Sequence, residues 1–415
     1  LIETEVKKER VAIVGVETEA NYKTFSVSMD ELASLVTTAG GEVILDFTQK
    51  RERADGRYLV GKGKLEEIRQ NIEADEIDTV VFNERLSPRQ NMNLEEYLGV
   101  KVIDRMQLIL DIFAARAKSY EGMLQVELAQ LKYMLPRLVG KGIALSRQAG
   151  GIGSRGPGES QLEMDRRYIR TRIENIEKAL KKAEKTRLNI RQKRQKSGVF
   201  RIGLIGYTNA GKSSIFNALT DKIQYEKDEL FATLDATTKD FSLKDDFIAT
   251  LTDTVGFIQD LPTELVDAFK STLEESSDVD LLIHVIDASN PDHEIHEDTV
   301  KKIMSDLDVS DIPVLNVYNK ADLTGNDFTP TVYPHILISA KNKDDIKKLK
   351  ETIVQLLQEV FVPFTIKLPY AESYKLPDLK KITLLEEVDE LDDSYKIKGS
   401  IAKNQEWRIE DYEHI

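Results

Sequence analysis

The apolar run RIGLIG (Arg201 to Gly206) passes directly into GYTNAGKSS and then into a helix-forming stretch that reaches Leu219. The order strand, glycine loop, helix is the context that gives the spacing Gly206-x4-Gly211-Lys212-Ser213 physical meaning. Glycine lets backbone N–H groups turn inward, and a helix N-terminus favours negative charge at the same spot. The pattern predicts a phosphate-binding loop built from Gly206, Tyr207, Thr208, Asn209, Ala210, Gly211, Lys212, Ser213 and Ser214. Lys212 is expected to reach the β- and γ-phosphates of a nucleotide, and the Ser213 hydroxyl to bind Mg2+.

Further motifs follow in order. LTDTVG (Leu251 to Gly256) ends a strand and supplies Asp253 for the Mg2+ shell and the Gly256 N–H for the γ-phosphate. NKAD (Asn319, Lys320, Ala321, Asp322) follows the strand PVLNVY. A carboxylate at Asp322 accepts from the guanine N1–H and N2–H2, a donor pair that adenine does not present, so the preferred nucleotides are GTP and GDP. Ser339, Ala340 and Lys341 follow the strand HILI, where a backbone donor to guanine O6 belongs. In the loop from Phe231 to Thr238, Phe231 is expected beside the nucleotide. Thr233 is the expected switch threonine on Mg2+, with Thr237 and Thr238 as rivals. Lys212, Thr233 and Gly256 would carry the catalytic contacts. The residue after Gly256 is Phe257, where Ras-like enzymes commonly place a water-orienting glutamine. Phenylalanine can neither donate nor accept, so intrinsic hydrolysis is expected to be slow and to need help from outside. Asn209 either shapes its loop or holds K+ as a charge-neutralising element.

At 415 residues the chain is too long for one core. The expectation is a multidomain α/β protein. Residues 1–105 form a parallel-sheet N-terminal domain, with strands Val11–Val16, Glu42–Phe47, Thr79–Phe82 and Lys101–Asp104 alternating with helices. Residues 106–198 form a long helical hairpin, 199–361 a Ras-like P-loop domain, and 362–415 a small α+β domain. The hairpin's first helix is expected from Met106 to Leu135 and its second from Glu159 to Lys196. The second carries a seam of Ile169, Ile173, Ile176, Leu180, Ala183 and Ile190. Between them, residues 139–158 hold seven glycines, the basic residues Lys141, Arg147 and Arg155, and no acid. Such a loop is either a flexible linker or a basic tip that orders on a phosphate backbone. The net charge of −14 argues against nucleic acid as a partner, but Arg137–Lys196 carries 17 Lys/Arg against 6 Asp/Glu. Local charge governs phosphate contact. No cysteine is present, which excludes disulfides and zinc-thiolate sites. No apolar stretch approaches the ~18–20 residues of a membrane span, and the opening LIETEVKKER lacks a signal-peptide pattern; both fit a cytoplasmic protein.

The phosphate loop with its flanks, LFATLDATT, DTVGFIQDLP, LVGKGK (Leu59 to Lys64) and above all GGIGSRGPGESQLEMDRR (Gly150 to Arg167) resemble the HflX family of ribosome-associated GTPases. The resemblance spans about residues 11–360. It implies GTP-dependent binding to the large ribosomal subunit, with ribosomal proteins nearby and the hairpin tip close to rRNA of the peptidyl-transferase region. It also implies splitting of stalled or idle ribosomes under stress. Lys141, Arg147, Arg155, Arg166 and Arg167 are the candidate rRNA contacts. A large-subunit assembly GTPase and a signalling GTPase with a protein effector are the alternatives. Elsewhere the expectations are plain. Gly61-Lys62-Gly63 is a turn, His284 is core, His293 and His296 belong to a solvated helix face, Trp407 and Tyr412 close the C-terminal core, and Glu386–Asp393 is a solvated acidic face.

Overall fold

The computed structural model describes residues 8–148, 157–195, 199–220, 230–231, 237–244, 246–254, 256–259, 279–306, 312–325 and 328–414, with the side chains of 139–148, 157–162 and 187–195 left aside. The chain forms two compact units, residues 1–183 with 259–269, and residues 184–258 with 270–415. The fold class is α/β, with a parallel-sheet N-terminal domain, a helical region, a domain built on a six-stranded sheet and a C-terminal sheet domain.

In the first unit, β1 (Arg10–Glu17), β2 (Glu42–Lys50), β3 (Thr79–Phe82) and β4 (Lys101–Asp104) form a parallel sheet in the order β2-β1-β3-β4. The inner strands β1 and β3 are buried on both faces, which is why VAIVGV and TVVF are continuous apolar runs rather than alternating ones. The connecting helices are α1 (Phe25–Thr38), α2 (Lys62–Ala74) and α3 (Pro88–Leu98). Helix α3 starts where Ser87-Pro88 placed it: Ser87 and Gln90 form a reciprocal capping box, with proline in the first turn. Gly61 precedes α2 and donates to Gln49 Oε1, so LVGKGK serves as the local entry to a helix.

One long helix was expected from Met106; two are present, α4 (Arg105–Arg116) and α5 (Tyr120–Gln148). Ala117 leaves the helical region, and the Ser119 hydroxyl accepts from Gly122 N to start the second helix. Helix α5 then continues to Gln148, and α6 (Pro157–Gln195) opens on a proline. Helix therefore enters the expected 139–158 tip from both sides, because glycines at its edges are tolerated inside helices; residues 149–156 lie outside the described ones. Leu124 and Leu128 pack on Ile176, and Arg172 forms a bidentate pair with Glu127 at 2.6 and 2.8 Å.

Buried polar residues hold this unit together. Arg105 and Glu31, each under one-tenth exposed, pair at 2.6 Å, and the guanidinium also donates to Ser28 and to Asn83 Oδ1. Asp104 caps α4 through Gln107 N, accepts from Tyr133 Oη at 2.7 Å, and pairs with Arg137 at 3.1 Å. Arg137 also donates to Leu86 O and lies over the Tyr133 ring. Helix α5 is thereby fixed to the end of β4.

In the second unit, β5 (Phe200–Gly206), β6 (Thr237–Lys244), β7 (Phe247–Asp253), β8 (Leu281–Asp287), β9 (Val314–Asn319) and β10 (His335–Leu337) form a sheet in the order β10-β9-β8-β5-β7-β6. Only β6 runs antiparallel among these described strands. Helices α7 (Lys212–Thr220), α8 (His293–Asp306) and α9 (Lys343–Val360) flank it. His284 is core, as expected; burial pushes its pKa down to about 4, and Nδ1 lies 3.1 Å from Asn316 Oδ1.

The same unit carries β11 (Val362–Pro369), α10 (Leu376–Ile382), β12 (Thr383–Glu390), β13 (Ser394–Ile401) and β14 (Glu413–His414), an antiparallel sheet ordered β12-β13-β11-β14. Glu386–Glu390 is the exposed part of edge strand β12, a charged edge of the kind that discourages further strand pairing. Tyr412 packs on the small core, but Trp407 is 56% exposed, against expectation. It sits in a short 3-10 segment with its ring beside the Arg408 guanidinium, and Ile409 takes the core position instead.

Candidate functional site

The phosphate loop is shaped by backbone that only certain residues tolerate. Gly206 has φ +151, and a Cβ there would meet Val285 O at 2.2 Å. Gly211 has φ +94, and a Cβ there would meet Asn319 Nδ2 at 2.1 Å. Between them Asn209 adopts the left-handed conformation at φ 60, which asparagine accepts more readily than most residues. Its side chain is exposed, whereas Tyr207, Thr208 and Ala210 are buried. Lys212 is buried beneath the loop and donates to Gly206 O at 3.1 Å and Tyr207 O at 2.8 Å.

The other motifs converge on this loop. Asp253, at the end of β7, is fully buried and accepts from Ser213 Oγ at 2.8 Å. A Cβ on Gly256 would lie 2.8 Å from Thr208 and 2.9 Å from Lys212 Nζ, so glycine alone lets this backbone reach the lysine. Phe257 is buried and forms a parallel bridge with Tyr207, donating to Gly206 O and accepting from Thr208 N at 2.8 Å. Its side chain therefore faces the core as well as lacking polar atoms. Asn319 joins two loops, donating from Nδ2 to Ala210 O at 3.0 Å and accepting at Oδ1 from Ala340 N at 2.9 Å. Asp322 accepts from Ser339 Oγ at 2.7 Å, and this hydrogen bond holds its carboxyl below the usual range. Lys341 is 3.8 Å from the same carboxylate. Phe231 is buried at φ 55, while Thr233 lies outside the described residues, as do the side chains of Lys141, Arg147 and Arg155. Arg166 is half-buried and Arg167 exposed on α6.

Family models match the chain in three consecutive stretches: GTP-binding GTPase N-terminal over residues 26–114, GTP-binding GTPase Middle Region over 116–194, and 50S ribosome-binding GTPase over 201–320. The GTPase HflX of Alkalihalophilus pseudofirmus is 48% identical over 399 residues, covering 95% of this chain and 94% of that protein. The chain belongs to the HflX GTPase family. The GTPase HflX of Escherichia coli K12 is 43% identical over 83% of this chain and 82% of its own length. A GTP-binding protein from Sulfolobus solfataricus, solved in complex with GDP, is 26% identical, covers 84% of this chain and 99% of its own, and superposes with a TM-score of 0.45.

Membership in this family makes the chain an enzyme that hydrolyses GTP, and the P-loop GTPase fold carries Mg2+ with its nucleotide. The residues present suit that ion: the hydroxyl of Ser213 and the buried carboxylate of Asp253 are hard oxygen donors already in contact. When bound, Mg2+ neutralises charge on the β- and γ-phosphates. Burial pushes the pKa of Lys212 down to about 8, with Asp253 pulling the other way. Among the described residues no cluster of histidine and carboxylate side chains forms a separate metal site, and no helix is long and apolar enough to cross a membrane.

Several neighbours of these residues were not legible in the motifs. Asp287 of β8 pairs at 2.7 Å with Lys320, which lies in the left-handed region at φ 64. Asp345, in the first turn of α9, accepts from Ser339 N at 2.9 Å. The expected solvated face of α8 is also corrected. Glu297 is buried and accepts from Tyr318 Oη and Thr331 Oγ1. His296 stacks on Tyr207, and His293 lies against the Phe328 ring. These partners are distant in sequence, and residue spacing along the helix carries no trace of them.

Proposed function

We propose that this protein is a ribosome-associated GTPase of the cytoplasm that binds the large ribosomal subunit in its GTP state and separates stalled or idle ribosomes into subunits. The observation that carries the reading is the joining of a guanine-nucleotide switch to a long basic arm. The segment Arg137–Lys196 holds 17 Lys/Arg against 6 Asp/Glu, much of it on α6. Acidic protein elsewhere would keep the rest of the chain from phosphate, leaving the arm as the RNA-facing element. Lys141, Arg147, Arg155, Arg166 and Arg167 are the proposed rRNA contacts, with the tip near the peptidyl-transferase region.

In the nucleotide site, backbone N–H groups from Gly206 to Ser214 and the Lys212 ammonium hold the phosphates. Ser213 and Thr233 ligate Mg2+, and Gly256 N–H meets the γ-phosphate. Asp322 reads the guanine edge, Asn319 and Lys320 brace it, and Ala340 N–H with its neighbours Ser339 and Lys341 meets O6. Because Phe257 cannot orient water, the large subunit supplies or orders the missing group. Asn209 is a proposed K+ ligand; equal hydrolysis rates in K+ and Na+ buffers would refute that role.

The deciding measurement is GTP turnover with and without purified large subunits, alongside sedimentation of intact ribosomes with a non-hydrolysable GTP analogue. Strong stimulation with conversion of ribosomes to subunits is the expected result. Stimulation without dissociation points to an assembly factor, and no stimulation points to a signalling GTPase with a protein effector.

A further inference from the structure

The first residue of the phosphate loop after Gly206 is Tyr207, and its ring is buried. It lies on the imidazole of His296, with ring centroids 3.7 Å apart and an interplanar angle of 9°. That platform is itself fixed. His296 sits near the start of α8, whose adjacent Glu297 is tied to Tyr318 of β9 and to Thr331. One turn back, His293 Nδ1 lies 3.0 Å from Asn290 O, and its ring meets Phe328. Burial holds the His296 imidazole at a pKa of about 4 despite Asp292 and Asp287 nearby, so it is a neutral ring at ordinary pH.

What the stack fixes is the backbone of Tyr207, and two elements of the hydrolytic site hang on that backbone. The Tyr207 carbonyl accepts from Lys212 Nζ at 2.8 Å. Tyr207 also bridges Phe257, with Gly206 O and Thr208 N completing the pair, and Gly256 is the residue just before Phe257. We propose that His296 is a positioning residue for GTP hydrolysis: stacked on Tyr207, it holds the phosphate-loop backbone that aims Lys212 and anchors the chain leaving Gly256. His296 touches neither of those groups directly and acts through the tyrosine. Preorganised donors lose effect when their backbone drifts by a fraction of an ångström, while ground-state binding, shared among many N–H groups, changes less.

The inference rests on GTP hydrolysis by the isolated protein and is independent of any ribosomal partner. The test compares His296→Leu, which keeps an apolar side chain of similar size without a flat face, with His296→Phe, which keeps the face. The readouts are single-turnover GTP hydrolysis, affinity for a fluorescent GTP analogue, and melting temperature with GDP bound. His296→Leu is expected to slow the single-turnover step by about 5- to 10-fold with affinity changed less than about twofold. His296→Phe should restore the rate to within about twofold of the natural protein. A phenylalanine variant as slow as the leucine variant would overturn the proposal. So would a leucine variant at full rate, or a rate and an affinity that fall by the same factor.

Discussion

The two compact units use buried polar groups in opposite ways. In the nucleotide-binding unit, Lys212 and Ser213 open α7 while Asp253 and Asn319 end strands, and their partners are one another and the phosphate-loop backbone. In the N-terminal unit, Glu31, Arg105, Asp104, Tyr133 and Arg137 are paired with one another across the interior. One set lines the candidate nucleotide site; the other replaces apolar packing where helices meet a sheet edge. The difference teaches that burial and charge alone do not mark a site. Convergence on backbone held open by glycine does.

The largest break in that comparison comes from Arg105→Met. Removing one partner of a buried pair leaves the other charge uncompensated, at a cost of about 3–5 kcal/mol. The Glu31 carboxylate would be stranded, and chemical denaturation should report destabilisation of that size in the N-terminal unit. If Arg105 is purely architectural, GDP affinity of the folded variant stays at the natural level. A large loss of GDP affinity in still-folded protein would erase the contrast between the units.

Next in size is Asp322→Asn. In the proposed base contact, the amide presents a donor to the guanine N1–H and N2–H2, where the carboxylate only accepted. GDP affinity should fall by about 100-fold or more, with some recovery for xanthosine diphosphate, whose edge carries an acceptor in place of the amino group. Isothermal titration with both nucleotides measures it. Unchanged preference for guanine would remove Asp322 from base recognition.

These two substitutions also mark what the sequence could disclose. The convergence of the candidate site was readable because its geometry is local: Gly206 and Gly211 sit at fixed offsets in a loop that cannot accept a Cβ, and strands lead into each motif. The parallel sheet was readable because inner strands buried on both faces must be continuously apolar. Arg105 was not readable, since its partners lie 22 to 154 residues away and nothing in their spacing couples them. The break at Ala117–Ser119 failed for a related reason. A serine cap is decisive in three dimensions and unremarkable inside a run of good helix formers. His296 was misread because a histidine among acids looks solvated until the tyrosine above it is placed.

The smallest effect expected is a bend in the pH profile of GDP binding, and it sharpens the comparison from the ligand side. Lys212 loses its proton near pH 8 in the free protein because burial disfavours its charge. Phosphates require the charged form. Below that pH the lysine is already protonated and affinity is independent of it; above it, binding must take up a proton. GDP affinity should therefore weaken as pH rises past 8, by at most about tenfold per pH unit. Guanine itself titrates at more alkaline pH, so the control is Lys212→Arg, whose guanidinium stays charged throughout. Its affinity is expected to be lower overall but to lack the bend near pH 8. A fluorescent GDP titration from pH 6.5 to 9 separates the two curves. If both bend alike, the titrating group belongs to the nucleotide. If neither bends, the loop carbonyls of Gly206 and Tyr207 hold the ammonium charged across this range.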